Sequence, residues 1–76
     1  MEIKILGTGC PKCNKLEQLV KEVVQEKGSD AVVEKVTDVN QIARAGVMLT
    51  PALMIDGDVK LAGKVPSKDD LAKMID

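Results

Sequence analysis

Gly7-Thr8-Gly9-Cys10-Pro11-Lys12-Cys13 joins a short apolar segment to an amphipathic one and contains both cysteines of the chain. The alternation of Ile3 and Ile5 predicts a strand over Glu2–Leu6. From Pro11 the pattern becomes helical: Leu16, Leu19, Val20, Val23 and Val24 share one face, and Gly28 is placed to end the helix after about Lys27. Pro11 suits the first helical position, where its missing N–H would have had no partner and its φ is already helical. Cys10 is therefore expected at the N-cap and Cys13 in the first turn.

That placement has chemical consequences. The first-turn N–H groups of a helix have no intrahelical partner, and the macrodipole puts partial positive charge there. A thiol at that point is stabilised as thiolate, the form that attacks disulfides and binds metals. Cys13 lies three residues before Leu16 and leans towards the buried face, whereas Cys10 is expected to be exposed. One exposed attacking thiol and one shielded resolving thiol are what thiol–disulfide exchange requires. Lys12, between the two, adds positive charge beside them. Gly7 and Gly9 leave room for a partner to approach Cys10. Lys21, Glu22 and Glu26 read as the solvated face of the helix.

Composition narrows the choices. The chain has 76 residues, no aromatic residue and no histidine. One domain over residues 1–76, with a core of Val, Leu, Ile, Met and Ala, is expected, Met48 and Met54 filling that core. A Cys-x-x-Cys closes too short a loop to act as a staple, so reactivity explains the pair better than scaffolding. Eleven basic and twelve acidic residues give a net charge of -1, which leaves no electrostatic footprint for nucleic acid or an anionic membrane. No apolar leader opens the chain and no run approaches the roughly 18 residues of a membrane span. A monomer in the reducing cytoplasm, using no cofactor, is the expectation.

Beyond Gly28, Ala31–Val36 predicts a second strand. Asp38 with Gln41 forms a capping box for a short helix closed by Gly46. Ala52–Ile55 and Val59–Ala62 flank Asp56-Gly57, the strongest hairpin signal in the chain, which favours a type I′ turn. Ser67 with Asp70 caps a last helix carrying Leu71, Met74 and Ile75. The order is β-α-β-α-β-β-α, an α/β chain whose strand–helix–strand start reads as a parallel crossover.

With Cys-Pro-Lys-Cys after the first strand, Thr50-Pro51 before a hairpin and a closing helix, the whole chain resembles the thioredoxin fold. More narrowly, it resembles the minimal thioredoxin-like, glutaredoxin-like redox-active disulfide proteins. The resemblance implies a central four-stranded mixed sheet flanked by helices, with Pro51 cis and packed against the cysteines. It further implies that Thr50 binds an extended substrate segment through its backbone, with Gly9, Pro11 and Lys12 on the same surface. The implied activity is thiol–disulfide exchange with protein disulfides, with electron transport from a dedicated reductase. Thioredoxins commonly carry Trp before the first cysteine and an acid six residues before it, where this chain has Gly9 and Lys4. Asp69-Asp70 is similar to the glutathione-contacting end of glutaredoxins but lacks the preceding Gly-Gly, which leaves glutathione use open.

The alternative is a soft-metal module, because a thiolate pair also suits Cu(I) or zinc. Small copper-chaperone domains carry Cys-x-x-Cys at a similar place but usually with Met two residues before it, where this chain has Thr8. Two thiolates would also leave a tetrahedral zinc site half empty. An inert adaptor built on the same fold is the third reading.

Overall fold

The computed structural model describes residues 1–75. Strand β1 (Glu2–Leu6) leads into helix α1 (Pro11–Lys27) and strand β2 (Val32–Val36). Helix α2 (Val39–Arg44), strands β3 (Ala52–Ile55) and β4 (Asp58–Ala62) and helix α3 (Lys68–Met74) complete the chain. The sheet has the order β2-β1-β3-β4. β1 is parallel to β2, from Glu2 opposite Val32 to Leu6 opposite Val36, and antiparallel to β3, with Ile5 opposite Leu53. β3 and β4 are antiparallel, with a register shift at Leu53/Met54. β2 starts one residue later than its apolar run suggests, and β4 one residue earlier.

Local chemistry sets the boundaries. Gly28 adopts φ 62, ψ 32, the left-handed turn that terminates α1, and its N–H reaches the Gln25 carbonyl. The Asp38 carboxylate accepts the N–H of Asn40 at 2.8 Å and caps α2, while the Ser67 hydroxyl accepts the N–H of Asp70 at 3.2 Å and caps α3. Asp56 and Gly57 have φ 50 and 87, the paired positive values that a type I′ hairpin requires.

The period-2 alternation of each strand divides its side chains between two apolar layers. On one face Ile3, Ile5, Leu53, Ile55 and Leu61 pack against Leu16, Val20 and Val23 of α1 and Leu71 of α3, with Ile75 just beyond it. Leu19 and Val24 are half-buried at the margin of this layer. On the other face Leu6, Val36 and Ala52 pack against Ile42 of α2 and Val47, with Met54 at the edge. The result is a mixed sheet between α1 and α3 on one side and the short α2 on the other.

Two lysines tie α1 to the C-terminal segment that carries α3. Lys68 pairs with Glu22 at 3.7 Å and with Glu26, and the Lys27 ammonium donates to the carbonyls of Ala72 and Ile75. Glu22 and Glu26, read from the sequence as merely solvated, therefore tie the outer helices together. Met48 departs further from expectation. It is 94% exposed rather than in the core, because Val47 takes the buried place against α2 and the chain turns outward before Pro51.

Candidate functional site: a helix-mouth cysteine pair

The site stands where β1 ends and α1 begins. Cys10 is the N-cap of α1, with φ -67 and ψ 162, and its Sγ accepts the backbone N–H of Cys13 at 3.2 Å. Its carbonyl accepts the N–H of Asn14 at 3.0 Å, so the cysteine holds the first helical turn from both ends. Pro11 occupies the first helical position and is exposed. The cysteines are joined as a disulfide, with Cα atoms 5.1 Å apart.

The two cysteines differ in burial. Cys13 is fully buried. Cys10 is half-buried rather than fully exposed, because its sulfur turns inward to meet both the N–H and the Sγ of Cys13. Leu16, one turn further along, continues the buried stripe that holds Cys13 against the sheet.

The remaining sequence-derived candidates fall into two groups. Pro51 is buried, in a cis peptide with Thr50. Thr50 itself is exposed, at the mouth of β3. Gly7 lies between Cys13 and Pro51: a methyl group at its α-carbon would stand 3.0 Å from Cys13 Cβ and 3.9 Å from Pro51 Cα. Gly9 and Lys12 are exposed, and open space surrounds the α-carbon of Gly9 where a side chain would project.

Sequence reasoning missed one part of this surface. Met48 and Leu49, 94% and 64% exposed, precede Thr50-Pro51, and Leu49 lies against Gly63. The Gly63 N–H donates to the Pro51 carbonyl at 2.8 Å, which ties this apolar loop to the end of β4. Met48 reads as core filler in sequence, and no local signal turns it and Leu49 outward.

Among the described residues no polar or charged side chain is buried, so no carboxylate stands in the core beside Cys13. Lys4, in the position where thioredoxins carry an acid, lies on the α2 side of the sheet and pairs with Glu2 at 3.3 Å. Among the described residues no cluster of three or more His, Cys, Asp or Glu side chains is arranged to hold a metal. No helix among them is long and apolar enough to cross a membrane. A groove between Lys4, Glu34, Gln41 and Arg44 opens on the α2 face, and another lies beside Lys60, Lys64 and Pro66. Neither is lined by a cysteine.

A mixed sheet of this order, with a dithiol/disulfide pair at the helix mouth, defines a thiol–disulfide exchange protein. A family model described as a thioredoxin domain matches residues 1–76. The chain is 43% identical over 75 residues to the thioredoxin of Methanothermobacter thermautotrophicus, covering 99% of this chain and 97% of that one. It is 48% identical over 69 residues to the thioredoxin of Methanocaldococcus jannaschii, covering 91% of this chain and 79% of the relative. The chain belongs to the thioredoxin domain family, and it is a thiol–disulfide oxidoreductase.

Proposed function

We propose that the protein carries two electrons between a reductase and protein disulfides, with Cys10 attacking and Cys13 resolving. The observation that supports these roles is the difference in burial between Cys10, half-buried at the N-cap, and the fully enclosed Cys13. In the reduced protein the Cys10 thiolate faces the N–H of Cys13 and the open helix end, which stabilise negative charge on sulfur. It attacks one sulfur of a partner disulfide. The Cys10–partner S–S bond forms, the partner bond breaks, and the other partner sulfur leaves as thiolate. Cys13 then loses its proton to water, since no carboxylate is buried among the described residues, and attacks the Cys10 sulfur. The intramolecular disulfide forms and the partner leaves with both sulfurs reduced. A reductase returns two electrons and two protons.

The substrate surface in this reading is the rim around Cys10. Gly9, Pro11 and Lys12 form one side, and Thr50-Pro51 with the apolar Met48-Leu49 loop forms the other. The free backbone of Thr50 at the mouth of β3 suits an extended segment added alongside it. A Cys-x-x-Cys that cycles in this way suits a reducing compartment, and we place the protein in the cytoplasm as a one-domain monomer. Glutathione would be a weaker substrate than a protein disulfide, because it reaches few of the apolar contacts.

The test is a redox titration of the pair against dithiol buffers after chelator treatment, read by thiol trapping and mass because the chain has no Trp or Tyr. A reversible two-electron transition is expected. A pair that never re-oxidises but retains Cu(I) or zinc would overturn the reading.

A further inference from the structure

Gly7 is buried and its backbone has no need of glycine. Five other glycines take positive φ, but Gly7 does not. Space, rather than backbone conformation, is what it supplies. A methyl group at this position would stand under 3.0 Å from the Sγ of Cys13, nearer than Cβ atoms ordinarily approach another atom, and 3.0 Å from its Cβ. The strand has little freedom to retreat. The Gly7 N–H donates to the Val36 carbonyl at 2.9 Å, which locks the residue to β2, and Pro51 stands on its other side. Cys13 is enclosed at 0% exposure, so its helix cannot simply lift away without opening the core.

We propose that Gly7 is a positioning residue for the exchange reaction: the missing side chain is the recess that receives the Cys13 sulfur when the disulfide closes. The proposal rests on the thiol–disulfide reading above and adds a determinant of redox poise. In the disulfide, Cys13 Sγ is bonded to Cys10 Sγ, and its χ1 is held where the recess lies. In the dithiol that bond is replaced by two S–H groups, and the covalent tether that holds the sulfur in the recess is gone. A methyl group in the recess therefore works against the disulfide more than against the dithiol. The half-reaction, disulfide plus two electrons and two protons giving two thiols, shifts towards its products.

The experiment measures the equilibrium of wild type and Gly7→Ala against the same dithiol buffer, by thiol trapping and mass. The expected result is at least a tenfold shift towards the dithiol, a midpoint less negative by about 30 mV or more. A shift under twofold, or one towards the disulfide, would overturn the proposal even if the variant were less stable, because a plain packing residue affects both forms alike. Failure of the wild type to titrate reversibly would instead remove the exchange reading itself. A second arm covers a variant that does not fold. Cys13→Ala removes the sulfur, so Gly7→Ala should cost clearly less stability on that background than on wild type. An equal cost, or failure of the double variant to fold where Cys13→Ala does, would show that the gap serves the strand rather than the sulfur.

Discussion

Cys10 Sγ accepts the backbone N–H of Cys13 at 3.2 Å, so the residue assigned to attack is also the one that caps α1. Function and helix stability can be separated at this position. Cys10→Ser keeps an acceptor at the N-cap and should match the reduced wild type in denaturant midpoint, while exchange falls to background. Cys10→Ala should lose exchange as well and be less stable than Cys10→Ser by about 1 kcal/mol. Cys13→Ser should still attack and then stall, accumulating a mixed disulfide with a protein substrate on non-reducing gels. Loss of the first attack in Cys13→Ser, with retention in Cys10→Ser, would reverse the roles.

The apolar loop before Pro51 gives the second test. Met48 is 94% exposed and contributes almost nothing to the core, so Met48→Asp should leave thermal stability essentially unchanged. Covering such a side chain with a partner is worth about 1.5–3 kcal/mol when burial is complete, and partial cover scales that down. We expect kcat/KM for a protein disulfide to fall about tenfold, close to 1.4 kcal/mol, and the rate with a small-molecule disulfide to fall by less. Equal losses with both substrates would remove Met48 from the docking surface.

Leu16 is completely buried one turn beyond Cys13 and meets the sheet. Replacing a buried leucine by alanine costs about 2–5 kcal/mol, a large part of the stability of so small a domain. Leu16→Ala should lower the melting temperature, followed by circular dichroism, by roughly 10 °C or more. An unchanged melting temperature would contradict the packing of α1 against the sheet.

A pH test follows from Lys68. Its pKa is raised above the usual 10.5, chiefly by the hydrogen bond from its ammonium to Glu26, with charge attraction from Glu26 and Glu22 adding to the effect. Because the folded-state value is raised, the contribution to stability is fully present below about pH 10.5 and is lost as pH rises through the folded value. The difference in denaturant midpoint between wild type and Lys68→Met should be small near neutrality, salt-sensitive, and shrink as pH climbs past 10.5. A difference that grows with pH would assign the helix–helix clasp to another pair.

Much of this was legible along the chain because the signals are local. Helical spacing from Leu16 to Val23, the capping residues Asp38 and Ser67, the Asp56-Gly57 turn and Gly28 each act through neighbours within about four residues. The cysteines' place at the helix mouth follows from the same local logic. Even the deeper burial of Cys13 was readable from its three-residue spacing to Leu16.

Local signals along the chain thus set the order of elements and the chemistry of the pair. Tertiary structure decided which side chains share space across long separations. It buried Leu6 and Ala52 on the second face of the sheet, turned Met48 out beside Pro51, covered half of Cys10 and brought Lys68 to Glu26 across the outer helices. It also set Gly7 between Cys13 and Pro51. Pairwise distances between residues six and forty-four positions apart depend on how the sheet and helices pack, and no local periodicity carries that information.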